Sequence, residues 1–308
     1  MIHPPLLEFI PNISEGRNHK ALDQLWLQLQ AVPELYCLHQ HRDEDHHRTV
    51  LTLAGSPAAL TTATHQLYDW AIRHIDLQTH QGEHPRMGAV DVCPLVPLEG
   101  LTLSEAVQFS RTLARSVAER WQLPVFLYEQ STAPGKEHRL PFLRQVWRTQ
   151  QQDALTRADY GSAHHHAGLG ASVWGVRGPL IAWNVWLNSQ DLKLAQQIAH
   201  ALRERNGGFA ALRTLGLYLP RANRVQISMN LIDPQQSSLF DIYRAIESRA
   251  RQAGVEVERT EFIGLVPESV FFETTARFLK AEPGLAGEHG LNSRLRATKN
   301  RDFRDFFA

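Results

Sequence analysis

The stretch HQGEHPRMGAVDVCP, residues 80–94, joins a histidine-containing turn to the start of an apolar run. Its first five residues fit the pattern H-x-x-E-H, the inverted zincin motif in which two histidines on one helical turn bind zinc. The same residues also fit a loop with a single histidine that transfers protons. These two interpretations predict different chemistry, and the neighbouring residues distinguish them.

A zinc-binding pair requires a helix, because only the i, i+4 spacing directs both imidazoles at one metal. Gly82 lies between the two histidines, and Pro85 disfavours helical backbone at His84. We expect the preceding helix to end near His80, with Gly82 as its stop signal. A third ligand has no obvious candidate, since His164–His166 would have to approach from a loop. No metal is therefore expected, and the alternatives are a proton-transferring histidine or a structural one bonded to a backbone carbonyl.

The composition excludes several classes of partner. Lys+Arg and Asp+Glu balance at 32 each in 308 residues, so neither nucleic acid nor an anionic membrane is expected. No apolar stretch approaches the length of a membrane span, and Pro4, Pro5 and Pro11 interrupt the N-terminal apolar run, so no signal peptide is expected. Cys37 and Cys93 stand among apolar residues and are too few for a disulfide framework. We therefore expect a cytoplasmic protein.

Hydrophobic periodicity predicts alternating strands and helices, which is typical of an α/β protein. Strands are predicted at 6–14, 48–55, 89–98, 123–130, 180–187, 224–233 and 255–266. Helices are predicted at 19–32, 58–75, 104–121, 189–208, 238–254 and 267–279.

Caps and composition complete this prediction. Ser56-Pro57 should cap the second helix, Ser104 the third, and Gly207 the end of the fourth. Residues 153–178 are polar, glycine-rich and predicted to be irregular. The expected architecture is α/β (α+β type), with two α/β sandwich subdomains at 1–178 and 179–308. Each would have a mixed sheet, and a ligand cleft would lie between them.

Three longer motifs carry a resemblance to a known family. HQGEHPRMGAVDVCPLVP (80–97) is similar to the signature of glutamate formimidoyltransferases, the tetrahydrofolate-dependent enzymes of histidine breakdown. FIPNISEGR (9–17) resembles that family's opening V-P-N-x-S-E-G-R, and DEDHHRTVLTLAG (43–55) resembles its D-x-D-H-N-R-[ST]-V-x-T-x-x-G. PVFLYEQ, LIAWNVWL, RVQISMNLID and FIGLVP follow in the family's order, so the resemblance covers about residues 7–280. A monofunctional member is expected, without the helical cyclodeaminase domain of bifunctional ones.

The resemblance implies a reaction and its residues. The formimino group of N-formimino-L-glutamate would pass to N5 of tetrahydrofolate, the co-substrate, giving 5-formiminotetrahydrofolate and L-glutamate. His84 falls on the family's catalytic acid/base. Asp43 and Asp45 are candidates for the carboxylate that steadies the amidinium and orients the imidazole, with Asp45 preferred. Arg48 and Arg86 are candidate clamps for substrate carboxylates. The family also suggests a homodimer.

The family's folate-contacting loop aligns with Gly161, Ser162, Ala163, His164, His165, His166, Ala167, Gly168, Leu169 and Gly170. The bounding glycines are present, but three histidines replace the prolines and the aromatic residue often found inside. His47 stands where the family usually has Asn. These departures leave two alternatives open: another folate one-carbon reaction, such as handling of 5-formyltetrahydrofolate, and a non-catalytic folate-binding homologue. The intact His84 and Arg86 count against the second.

Overall fold

The computed structural model describes residues 4–136, 139–149, 155–161 and 166–281. The chain forms two compact units, one of Met1–Pro179 with Leu219–Asn223, the other of Leu180–Tyr218 with Arg224–Ala308. Helices together with one mixed and one antiparallel-paired sheet confirm the predicted α/β class. The predicted ligand cleft stays a prediction. Among the described residues, no helix has the length and apolar character that a membrane span requires.

The first unit is built on a seven-stranded sheet. Its strands are β1 (Leu6–Phe9), β2 (Asn12–Ile13), β3 (Leu35–Asp43), β4 (Arg48–Gly55), β5 (Val90–Glu99), β6 (Val125–Leu127) and β7 (Ser172–Val176). The order is β3, β4, then β1 and β2 end to end, then β5, β7 and β6. Pro11 falls at the break between β1 and β2, because proline lacks the N–H that a strand ladder needs. The β5–β7 and β7–β6 pairs are parallel and the others antiparallel, so the sheet is mixed.

Helices cover both faces of this sheet. They are α1 (His19–Gln30), α2 (Pro57–His74), α3 (Leu103–Trp121) and α4 (Leu140–Thr149). Alternate residues of β6 and β7 enter two separate cores, as the strand period requires. Trp174 joins the core beneath α1, α2 and α3, whereas Phe126 and Val173 pack with Leu143 and Trp147 of α4. The candidate active-site residues Asp91 and Arg144 meet on the face of the sheet that α4 covers.

The N-caps of α2 and α3 test the predicted helix starts, and one of the two predictions is correct. Ser56 is the N-cap of α2 as predicted, and its side chain accepts from the Ala59 N–H. The prediction that Ser104 caps α3 is wrong. Thr102 is the cap, because its hydroxyl accepts from the Glu105 N–H while the Glu105 carboxylate accepts from the Thr102 N–H, a capping box.

Helix α2 ends at His74, one residue before the end of the predicted range 58–75, so the expectation that it continues to near His80 is wrong. Ile75 is extended, and the Asp76 carboxylate accepts from the Gln78 N–H, which turns the chain away. Gly82 therefore does not stop this helix. His80 and His84 both lie on a loop, so the helical geometry that a zincin motif needs is not formed.

The second unit has a four-stranded sheet ordered β11, β8, β10, β9. Its elements are β8 (Ile181–Leu187), α5 (Leu192–Leu202), β9 (Leu212–Leu219), β10 (Arg224–Leu231), α6 (Leu239–Gln252), β11 (Val257–Ile263) and α7 (Glu268–Leu279). The helix predicted to reach 208 ends at Leu202, and Gly207, in the left-handed conformation, ends a short 3-10 turn instead. Val185, Ile198 and Ile227 are in its core. Strands β3, β7 and β9 and helix α4 were not predicted, and β7 lies inside the stretch expected to be irregular.

Candidate active site

His84 is half-buried in the loop between α2 and β5. Its Nδ1 lies 2.8 Å from the carbonyl oxygen of Pro85. Because a carbonyl oxygen only accepts, the neutral ring carries its proton on Nδ1 and presents Nε2 as a base. Burial lowers the pKa of His84 well below its usual value, and the charges of Arg48, Arg144 and His46 act in the same direction. The ring is therefore neutral near pH 7 and able to accept a proton.

Arg48, at the start of β4, connects this histidine to a buried carboxylate. Its Nη2 donates to the Pro85 carbonyl and to Oδ2 of Asp91, each at 3.2 Å. Asp91, in β5, is 0% exposed; its Oδ1 accepts from the Met87 N–H at 2.7 Å, and its Oδ2 also accepts from Arg144 at 2.6 Å. Burial would raise the pKa of Asp91, but Arg144 and Arg48 outweigh it and hold that pKa below its usual value. A charged carboxylate thus stands between two guanidinium groups.

Asp43 is placed near His84 but orients a different histidine. Its Oδ2 lies 2.6 Å from Nδ1 of His46, and its Oδ1 accepts from the His46 N–H at 2.7 Å. His46 is 5% exposed, and its ring centroid lies 5.7 Å from that of His84. Asp45, by contrast, accepts from the backbone N–H of Arg221, in the segment Leu219–Asn223 of the same unit, at 2.8 Å. A catalytic role for either aspartate stays a prediction.

Arg86 holds two loops together. Its Nη1 donates to the His47 carbonyl at 3.1 Å and to Nε2 of His80 at 2.9 Å. Its Nη2 donates to the carbonyls of His46 and His84 at 2.6 and 3.0 Å. These four bonds favour a structural role, and the expectation that Arg86 clamps substrate stays a prediction. Burial, then the Arg86 charge, lower the pKa of His80 to about 4, so His80 stays neutral as an acceptor.

His47, the departure from the family pattern, lies in the left-handed conformation with φ of 48°. Asparagine tolerates this conformation better than most residues, which is a physical reason for its presence in the family. Nδ1 of His47 accepts from the Gly16 N–H at 3.1 Å, and its ring centroid lies 4.1 Å from that of His80. The histidine thus replaces asparagine in a structural position at the edge of the site.

A cavity of about 620 Å³ opens beside these residues. It is lined by residues 80–87 with Leu77, Gln78, Trp147 and Ala167, so His84 and Arg86 form part of its wall. This volume falls within the range of sites that hold small molecules. Ala167 comes from the predicted folate loop, which brings that loop to the same cavity.

Hydrogen bonds hold the described part of the predicted folate loop in place. The Gly168 carbonyl accepts from the Leu77 N–H at 3.0 Å, and the Leu169 carbonyl from the Ala89 N–H at 2.8 Å. Nδ1 of His166 accepts from the Leu169 N–H at 3.0 Å, so this ring stabilises its own turn. Ser162, Ala163, His164 and His165 lie outside the described residues.

Three residues of this site were not predicted from the sequence: His46, Asp91 and Arg144. Asp91 carried a signal, since it is the single charge in the apolar run AVDVCPLVPL. His46 also carried one, since it falls on the histidine of the motif D-x-D-H-N-R-[ST], whereas Arg144 carried none that a local pattern reveals. The site places a neutral imidazole, that of His84, in the cavity wall. A carboxylate–imidazole pair and two guanidinium groups lie close to this imidazole, an arrangement that suits proton transfer on an anionic substrate.

Comparisons with known proteins agree with this chemistry. The family model described as "Formiminotransferase domain, N-terminal subdomain" matches residues 6–177, and that described as "Formiminotransferase domain" matches residues 182–294. The chain is 34% identical over 281 residues to the glutamate formimidoyltransferase of Streptococcus pyogenes serotype M1, covering 90% of this chain and 94% of the relative. It is 31% identical to that of Thermoplasma acidophilum, covering 89% and 92%. It is 30% identical to the formimidoyltransferase-cyclodeaminase of Rattus norvegicus, covering 96% and 56%.

Proposed function

The chain belongs to the formiminotransferase family, and on that premise we propose how it transfers a formimino group from N-formimino-L-glutamate to N5 of tetrahydrofolate. The products are 5-formiminotetrahydrofolate and L-glutamate. The observation that carries this proposal is the neutral imidazole of His84 at the wall of the 620 Å³ cavity, with Nε2 as its basic nitrogen. The enzyme is a folate-dependent transferase, with tetrahydrofolate as its co-substrate.

His84 moves one proton in the reaction. A bond forms between N5 and the amidine carbon, and the bond from that carbon to the glutamate nitrogen breaks. Nε2 of His84 takes the proton that N5 loses and returns it to the departing glutamate nitrogen, so that charge and atoms balance. One imidazole performs both transfers in sequence. For this reason we propose a reaction without metal, which metal analysis of the purified protein tests.

Asp43 supports the proton transfer through His46. Asp43 is half-buried and its bond to His46 is 2.6 Å long, and we propose that its negative charge stabilises the amidinium charge as it develops. The contact of the His46 and His84 rings places this pair next to the base. We expect Asp45, which is bonded to backbone, to contribute less.

The folate is proposed to contact the loop 161–170, since Ala167 of that loop lines the cavity that His84 faces. We further propose a cytoplasmic homodimer, as the family resemblance implies. Size-exclusion chromatography with light scattering tests the assembly, and cell fractionation tests the compartment.

An assay of the whole reaction tests the function. The purified protein is incubated with formiminoglutamate and tetrahydrofolate, and the 5-formimino product is measured after acid conversion to the methenyl form. We expect turnover by the wild type, loss of turnover in His84→Ala with folate binding kept, and unchanged turnover in His74→Ala, an exposed histidine at the end of α2.

The same assay separates the alternatives. Folate binding without turnover by the wild type would show a non-catalytic folate-binding homologue. Turnover of 5-formyltetrahydrofolate alone would show a different one-carbon reaction on the same fold. Turnover that survives in His84→Ala would remove His84 from the proposed role.

A further inference from the structure

Two arginines converge on one buried carboxylate oxygen. Nη2 of Arg48 lies 3.2 Å and Nη2 of Arg144 lies 2.6 Å from Oδ2 of Asp91. The side chain of Asp91 is 0% exposed, and those of the arginines are 11% and 18% exposed. The single negative charge of Asp91 is therefore paired with two positive charges. The cluster of Asp91, Arg48 and Arg144 has a net charge of +1 and is largely shielded from water.

Both arginines also keep an unused donor. The Nε groups of Arg48 and Arg144 are buried, and neither has a hydrogen-bond partner in the part of the chain that the structure describes. Buried donors are nearly always bonded in folded proteins, and those that are not call for a ligand, an ion or water. An anion would supply both the missing acceptor and the missing negative charge.

The position of the cluster relates it to the proton-transfer site. Arg48 and His84 donate to the same Pro85 carbonyl. Arg144 stands three residues before Trp147 on α4, and residues at this spacing share one helix face. Trp147 lines the cavity, so Arg144 lies on the α4 face that turns toward it.

We propose that Arg48 and Arg144 form a carboxylate-binding site beside His84, which holds a glutamate carboxylate of the substrates. Guanidinium groups suit this ligand, because hydrogen bonds between charged donors and a carboxylate are stronger than neutral ones, and the donors left for it are the two Nε–H groups. The identity of the ligand rests on the proposed function. Both substrates of formimino transfer contain glutamate: the donor itself, and the glutamyl tail of tetrahydrofolate.

Binding at this site would also act on the base. The charged groups around His84 include Arg48 from β4, Arg144 from α4 and Arg86 from its own loop, with Asp91 of β5 as the counter-charge. His46, from the turn before β4, also faces His84 and is paired with Asp43 at the end of β3. A bound carboxylate offsets the positive excess and makes Nε2 of His84 a stronger base. The imidazole would then be most basic when substrate is present.

Binding of glutarate, which has the two carboxylates of glutamate without its amine, tests the site by calorimetry without any turnover. We expect Arg144→Gln to weaken glutarate binding about tenfold or more, since a charged partner is lost. Arg148→Gln is the matched control, because Arg148 is exposed on the same helix, and it should bind as the wild type does. Equal binding by Arg144→Gln and the wild type, with both folded, would overturn the proposal, as would a wild type that does not bind glutarate.

Arg144→Lys keeps the test valid if Arg144→Gln does not fold. Lysine retains the charge beside Asp91 but has no fork of parallel donors, so we expect glutarate binding about threefold weaker or more. Unchanged binding in this variant would contradict the proposal. A wild type that binds glutarate through Arg144 but does not turn over would refute the function and leave the site standing.

Steady-state kinetics identify which glutamate is held. If the donor is held, Arg144→Gln raises the KM for formiminoglutamate and leaves that for tetrahydrofolate unchanged. If the folate tail is held, the variant raises the KM for tetrahydrofolate, and the effect disappears with tetrahydropteroate, which lacks the glutamyl carboxylates. An Arg144→Gln enzyme with both KM values unchanged would show that the ion cluster is only structural.

Discussion

His84 and Arg48 donate hydrogen bonds to the same acceptor, the carbonyl oxygen of Pro85, at 2.8 and 3.2 Å. The bond from His84 fixes the tautomer, so that Nε2 is the base. The bond from Arg48 places a buried positive charge beside that base, and burial together with this charge lowers the pKa of His84 and keeps the imidazole neutral. Pro85 favours this arrangement, because it disfavours helical backbone at His84. The carbonyl oxygen of Pro85 is then available to both donors.

The first prediction concerns the pH dependence of kcat/KM. Protonation of His84 removes the base, so activity is lost as pH falls through its pKa. Because burial and the neighbouring arginines lower this pKa, the acid limb of kcat/KM should lie below pH ~6.5, the ordinary value for histidine. Arg144→Gln removes one positive charge and should move the limb toward higher pH, whereas Arg148→Gln should not. An acid limb of the wild type at or above that ordinary value would contradict the prediction.

The second prediction separates the two aspartates. Asp43→Asn keeps an acceptor for His46 but removes the charge, and we expect kcat/KM to fall about tenfold or more, as for loss of a group that assists acid–base catalysis. Asp45→Asn keeps an acceptor for the Arg221 N–H and should change kcat/KM by less than about threefold. The two variants are compared by steady-state kinetics. A larger loss in Asp45→Asn would reverse the assignment.

The third prediction concerns Arg86 as a structural residue. Arg86→Ala removes four hydrogen bonds that join the turn at His46–His47 to the loop of His80 and His84. We expect the free energy of unfolding to fall by about 2–4 kcal/mol, because several charge-assisted bonds are lost at once. Urea unfolding of the variant and of Arg73→Ala, an exposed control in α2, measures this. A raised KM at unchanged stability would instead support the substrate clamp.

Local sequence patterns predicted those features of the fold that are determined by residues adjacent in the chain. The loop position of His84 was predictable from Pro85, and the start of α2 from Ser56, because proline and cap residues act within one turn. Strand β3 was missed, since polar residues occupy most of its second half. Strand β7 was missed because its five residues stand within a glycine-rich stretch.

The site itself depended on contacts that no local pattern contains. Asp91 and Arg144 are 53 positions apart and meet only because α4 packs on the face of the sheet that β5 presents. The role of Asp43 could be predicted only in part, since the carboxylate was expected to orient His84 and instead orients His46. Arg86 was recognised as important, while its four protein acceptors are visible only in the folded chain.

The fourth prediction uses the close approach of Gly82 to the turn that carries His46. A Cβ at Gly82 would overlap the His46 carbonyl oxygen and lie 2.5 Å from Nη2 of Arg86, so neither neighbour has room for a methyl group. Gly82→Ala should displace the loop of His84, lower kcat/KM about tenfold or more and reduce the free energy of unfolding by about 1–3 kcal/mol.

Gly178→Ala is the matched control for this substitution. A Cβ at Gly178 meets nothing within 4 Å, so stability should change by less than about 0.5 kcal/mol and kcat/KM should stay that of the wild type. Urea unfolding and steady-state kinetics measure both variants side by side. If Gly82→Ala has the kinetics and stability of the wild type, the loop of His84 is not packed against this turn. That result would also contradict the roles assigned to Arg86 and to the His46–His84 contact.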